Sequence, residues 1–259
     1  MIDKAKNISR KDIDLFLIYE SNLLSIYSSA NESYEDMQNI LEQNSKRLMT
    51  EFNIVLDSKI QVEIYPDLVT YHKNMWEGLT PNVDFQCNDQ IIGNMDESTN
   101  SIKIVTPYNP GPIHNYNTVV KTVLHEFVHV LTMSKFKAEN SEYTSESFMK
   151  VMWLHEAIAV YESKQYQDFM PVFLKKITEK MPEISDLNDM LLRYIVAWSF
   201  AEFMIEKHSK IQLLDLMTNL EIDMDLNKLE SEWQEWLKQK YIQNDKKEDN
   251  LAQPTTLEK

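Results

Sequence analysis

Apolar residues recur at helical spacing twice near the start of the chain. Ile13, Phe16, Leu17, Leu24 and Tyr27 predict a helix over 11–30; Met37, Ile40, Leu41, Leu48 and Phe52 predict a second over 33–53, capped by Asn31 or Ser33. The period then drops to two. Lys59-Ile60-Gln61-Val62-Glu63-Ile64-Tyr65 alternates and stops at Pro66, which predicts a strand. A short helix is expected over 68–77. Strands are expected over 85–95 and 101–106, with the polar run Asp96-Glu97-Ser98-Thr99-Asn100 as a hairpin turn between them. Pro107, Pro110, Gly111 and Pro112 mark a loop. From 117 the helical period returns, and predicts helices over 117–136, 144–164, 168–180, 186–208, 210–219 and 226–241. The polar stretch from about 243 is expected to be a disordered tail. The layout is a helical hairpin and a small sheet in 1–115, followed by a helical lobe in 116–242. It predicts the α+β class in one domain spanning 1–242.

Composition narrows the partners. A chain of 259 residues with 43% hydrophobic content can bury a full core. Lys and Arg total 26 against 41 Asp and Glu, so the net charge is −15. Such a surface repels nucleic acid and anionic membranes, and neither is expected as a partner. No apolar run reaches the length of a membrane span. With 3 glycines and no GxGxxG or GxxxxGK pattern, a Gly-rich phosphate loop is not expected either. Cys87 is the single cysteine, which excludes an intrachain disulfide and a Cys-rich zinc site. The opening Met-Ile-Asp-Lys-Ala-Lys-Asn lacks the apolar core of a signal peptide. The expectation is a cytoplasmic protein, with a trimmed secreted form as the alternative.

One segment changes the picture. His125-Glu126-Phe127-Val128-His129 lies within a run of bulky uncharged residues, on a helix that Asn117 or Thr118 is expected to cap. Histidines four apart share one helix face, one turn apart, and can hold one metal ion together. Glu126 lies about 100° further round. That is too far for a ligand and well placed for a general base acting on a water at the metal. Chance would produce the pattern in about one such sequence in a hundred. Catalytic zinc needs a third protein ligand and an open fourth position. Residues 130–135, Val-Leu-Thr-Met-Ser-Lys, exclude the long motif with a third histidine close downstream. The better source is Trp153-Leu154-His155-Glu156-Ala157-Ile158-Ala159-Val160-Tyr161-Glu162, which offers Glu156 or its neighbour His155. Between His129 and Glu156 lie 26 residues, enough for a loop and a returning helix.

These segments resemble the gluzincins, the zinc peptidases of the thermolysin and aminopeptidase-N type. Their pattern Trp-Leu-x-Glu-Gly-x-Ala-x-Tyr-x-Glu is matched by Trp153, Leu154, Glu156, Ala159 and Tyr161. Ala157 replaces the usual Gly, and Glu162 follows Tyr161 directly instead of one residue later. The resemblance implies a zincin-like α+β fold with the active site in a cleft, and one Zn2+ per chain held by His125, His129 and Glu156. It also implies Glu126 as base and a peptide or protein as substrate. Tyr194, at the start of Tyr194-Ile195-Val196-Ala197-Trp198, is placed like the family's oxyanion-binding phenol. Ser101–Thr106 is placed like its edge strand, where an extended peptide adds by backbone hydrogen bonds. Gly93-Asn94-Met95-Asp96-Glu97 is loosely similar to the element that captures a substrate amino terminus, although a hairpin turn explains the same residues. His72, His114 and His208 have no metal spacing and are expected on the surface or in loops. A zinc-binding module that recognises a peptide or protein without catalysis is the alternative. A helical protein without metal is the second rival.

Overall fold

The computed structural model describes residues 3–75, 88–96, 100–140, 144–219 and 225–243. The expected tail, the stretch 76–87 with Cys87, and the middle of the turn at 97–99 lie outside the described residues. The fold is α+β, a curled six-stranded mixed sheet followed by a mainly helical remainder. The chain divides into two compact units: Met1–Ser141 with Glu162–Gln165, and Glu142–Tyr161 with Tyr166–Lys259. Among the described residues, no helix is long and apolar enough to cross a membrane.

In the first unit the chain opens with β1 (Asp3–Arg10), β2 (Ile13–Glu20) and β3 (Leu24–Ser28), an antiparallel meander. This corrects the helix expected over 11–30, and with it the helical hairpin. Ile13, Leu15 and Leu17 also read as an alternating row, and Leu15 and Leu17 are the buried members. Two tight turns decide between the periods. Asp12 takes a left-handed φ of 63° between β1 and β2. Ser21 closes the next turn, its hydroxyl accepting from the Leu23 and Leu24 amides at 3.2 and 3.1 Å.

α1 (Glu35–Phe52) and β4 (Ile60–Tyr65) follow as expected, except that α1 is preceded by Tyr34 with no side-chain cap, which corrects the cap expected at Asn31 or Ser33. Next come α2 (Leu68–Met75), β5 (Gly93–Asp96) and β6 (Ser101–Val105), the last two an antiparallel pair as the hairpin reading predicts. Of the strand expected over 85–95, however, residues 88–92 are turn and loop, and 85–87 lie outside the described residues. The strand order is β1-β2-β3-β4-β6-β5. Its β3–β4 and β4–β6 pairs are parallel and therefore need crossovers, which contain α1 and α2. Side-chain alternation gives the sheet two characters. Ile26, Val62, Ile64, Ile102 and Ile104 are fully or almost fully buried on one face. Glu63 and Lys103 pair in register on the other. There Arg10 grips Glu63 through Nε at 2.8 Å and Nη2 at 2.5 Å, and the Tyr65 hydroxyl donates to the same carboxylate at 2.6 Å. Burial pushes the Glu63 carboxyl up, but Arg10 and these hydrogen bonds outweigh it and hold the group below the usual carboxylate range.

His72 is buried in α2, edge-on to Tyr71 with ring centroids 4.9 Å apart, which corrects the surface position expected for it. Burial pushes its imidazole below the ordinary value of 6.5, against the pull of the Asn88 and Ile91 backbone and the Asp89 charge. The unfolded chain therefore takes up a proton that the folded chain resists. This contribution to stability is complete above about pH 6.5 and is lost as pH falls from there toward the folded value, by at most about 1.4 kcal/mol per pH unit. Glu63 acts in the same direction only at lower pH, below its ordinary 4.5. Urea midpoints at pH 7.5 and 5.5 should differ more for the wild type than for His72→Gln. Equal differences would remove His72 from this account.

The second unit is built of helices. α4 (Ser145–Glu162) contributes its residues up to Tyr161, and α5 (Tyr166–Glu179) follows. The helix expected over 186–208 is three pieces, a 3-10 turn (Ile184–Asn188), α6 (Met190–Ile195) and α7 (Ala197–Lys207). Asp189 restarts the chain by accepting from the Leu191 and Leu192 amides, both at 3.0 Å. At Val196, side chains take carbonyls at the break. Trp198 Nε1 donates to the Ile195 carbonyl and Ser199 Oγ to that of Val196, both at 2.7 Å. α8 (Lys210–Thr218) and α9 (Leu226–Leu237) complete the unit, with a π-helical end at Lys238–Gln243. Aromatic rings fill the core. Trp198 stacks on Tyr166 at 4.6 Å and meets Phe173 at 4.7 Å, while Phe200 meets Trp153 at 5.1 Å and Trp233 at 5.5 Å. Trp153 thereby fixes the rotation of α4 one turn before Glu156.

Candidate metal centre

α3 (Tyr116–Glu139) starts at Asn115, two residues before the nearer expected cap. The Asn115 side chain accepts from the Thr118 amide at 3.0 Å. Val119, Val123, Phe127, Val128, Val130 and Leu131 are buried around it, so the helix sits deep in the first unit. It carries His125 and Glu126 into that interior, at 3% and 7% exposure. His129, one turn on, is half-buried.

The two imidazoles converge. Their Nε2 atoms stand 2.9 Å apart and the rings meet edge-on at 81°. Two ring nitrogens facing each other at that distance need a shared proton or a cation. On a tetrahedral zinc, with bonds of 2.0–2.1 Å, two such nitrogens stand about 3.3 Å apart. The pair is therefore close to the spacing of two ligands on a single ion. The third member is Glu156 on α4. One ring nitrogen from each histidine and one Glu156 carboxylate oxygen all lie within 4.8 Å of one another. The group can hold a metal ion. His2Glu is a donor set suited to zinc, borderline between hard and soft, with three protein ligands and a position left open.

His155, the rival ligand, is buried in another direction, edge-on to Phe148 at 4.9 Å. Glu162, displaced by one residue from the family position, accepts from Arg47 Nη2 at 2.9 Å and so ties the end of α4 to α1. Tyr194 lies on α6 and is half-buried. Its expected role rests on the resemblance alone.

The sheet edge is also corrected. Among the described residues, β6 (Ser101–Val105) lies between β4 and β5, and β5 is the edge strand. Gly93 and Asn94 point to opposite faces of β5. A Cβ at Gly93 would point at α3, 2.8 Å from Thr122 Cγ2 and 3.4 Å from Glu126 Cγ. On the far face Asn94 Oδ1 accepts from the Tyr71 hydroxyl at 3.0 Å, and Asp96 pairs with the buried Lys103 at 3.2 Å. Asp96, the carboxylate of the loosely matched amino-terminus element, is thus paired within the sheet. Thr122 and Gln165 are additions that the sequence reading did not contain. Gln165 Nε2 donates to Thr122 Oγ1 at 3.0 Å, one turn before Glu126 on the same helix face. Nothing local in the sequence signals this, because Gln165 arrives from beyond α4. Its neighbour Lys164 takes a left-handed φ of 59° in that turn.

No protein-family profile matches the chain, and a search of curated proteins finds no match.

Proposed function

We propose that this protein is a zinc-dependent peptidase of the gluzincin type. One observation carries the reading. His125, His129 and Glu156 bring ligand atoms within 4.8 Å of one another, and Glu126 sits beside the first of them on the same buried helix turn. A zinc ion bound there supplies Lewis acidity, acidifying a water and polarising the scissile carbonyl. Glu126 takes the proton of the attacking water as it adds to the carbonyl carbon, then hands it to the departing nitrogen as the C–N bond breaks. Its burial keeps competing water from dispersing that proton. A structural zinc site usually fills all four positions with protein ligands, whereas this group offers three and has a base beside it, which favours catalysis.

Tyr194 is assigned, on the resemblance alone, to donate its phenol proton toward the developing oxyanion. Tyr194→Phe should lower kcat about 100-fold and leave zinc content unchanged. A kcat equal to that of the wild type would withdraw the assignment.

The reading is tested by incubating the protein with a diverse peptide mixture and reading new termini by mass spectrometry, before and after a chelator and again after zinc is restored. Cuts that vanish with the chelator and return with zinc are the expected result, and their positions separate end-trimming from internal cleavage. A zinc-loaded protein that binds peptides and cuts none would establish the recognition module instead.

A further inference from the structure

We infer that Gly93 is a positioning residue for Glu126, holding β5 close enough to α3 to fix the carboxylate in place. The kinetic part of this inference rests on the peptidase reading. The contact leaves no room for a side chain. A Cβ at position 93 would come to 2.8 Å from Thr122 Cγ2, and it would touch Glu126 at Cγ and Oε1, 3.4 and 3.5 Å away.

Each easy escape from that collision is closed. Threonine is stiff at χ1, and both bonding directions of this hydroxyl are in use. It donates to the Thr118 carbonyl at 2.9 Å and accepts from Gln165 Nε2 at 3.0 Å. Rotating the methyl away breaks both bonds. The strand is held from its other face by Asn94 with Tyr71 and by Asp96 with Lys103, and along its length by the ladder to β6. What gives way is the spacing between β5 and α3, which moves Glu126 relative to everything anchored to the sheet. A small displacement of a base is costly. About 1 Å of misplacement can cost on the order of 100-fold in rate.

The collision lies with a single methyl group, so it can be removed without touching the hydroxyl. Three variants separate the effects: Gly93→Ala, Thr122→Ser, and the two together. In the zinc-loaded protein, Gly93→Ala should lower kcat about 10- to 100-fold, with KM changed less than about threefold and zinc content unchanged. The double variant should return to the kcat of Thr122→Ser alone. It should also fold even if Gly93→Ala does not, because the colliding methyl is gone. Crystal structures of the wild type, Gly93→Ala and the double variant give a readout independent of turnover. The Glu126 carboxylate should be displaced only in Gly93→Ala. An unchanged kcat with Glu126 in place, or a loss that Thr122→Ser fails to restore, would overturn the inference and leave the peptidase reading standing. A wild type that cuts no peptide, with Glu126 still displaced in Gly93→Ala, would sink the peptidase reading and keep the positioning role.

Discussion

Glu126→Gln is expected to bind zinc as the wild type does and to lose turnover by about 100- to 10,000-fold, the range for removing a positioned general base. The substitution is nearly isosteric, so the side chain keeps its shape and its place facing Gly93. The side chain is 7% exposed, and burying a neutral amide there costs no more than burying a carboxylate. His125, His129 and Glu156 are untouched. Only the ability to accept a proton disappears. Metal analysis and peptide turnover on the same sample check this. Turnover at the wild-type rate would refute the assignment of the base, whereas loss of zinc along with activity would make Glu126 part of the metal site.

The second large effect is on the metal itself. In the proposed site, Glu156→Ala removes the anionic member of the His125–His129–Glu156 group and should weaken zinc binding by more than about 100-fold. Even partners that merely orient zinc ligands are worth 10- to 100-fold in affinity. Competition against a chromogenic chelator measures it. Undiminished affinity would mean that another group completes the site. His155 is poorly placed for that, since it is buried edge-on to Phe148. The two variants separate the steps, Glu126→Gln abolishing chemistry with metal present and Glu156→Ala abolishing chemistry by losing the metal.

How much of this was legible beforehand follows the range over which each signal acts. His125, Glu126 and His129 are within one helical turn, so spacing alone brings the histidines together. Glu156 was reached through a denser local pattern, in which Trp153 packs on Phe200 and orients the helix. β4 and the β5–β6 pair were readable because alternation and turn residues agree. The run 11–30 was misread because Ile13, Leu15, Phe16 and Leu17 satisfy periods of two and of nearly four together. The decision lay in turns at Asp12 and Ser21 and in pairing with β4, a partner far along the chain. The edge strand was misplaced for a related reason. Nothing in Ser101–Val105 says that β5 lies outside it rather than beside β4. The approach of Gly93 to Thr122, and of Gln165 to the same threonine, joins segments that have no sequence relation, and only the folded chain shows it.

The outer edge of the sheet at β1 bears on how the protein behaves at high concentration. Such an edge offers unpaired backbone groups to any other extended chain. Of the described side chains of β1, Asn7, Ser9 and Arg10 are polar, and Arg10 is held by Glu63. The strand's register with β2 is irregular between Asp3 and Asn7, so it does not present the regular row of backbone groups that a second copy would need. An interrupted ladder at an outer strand works against edge-to-edge pairing of two copies, which keeps the sheet from growing past its own strands.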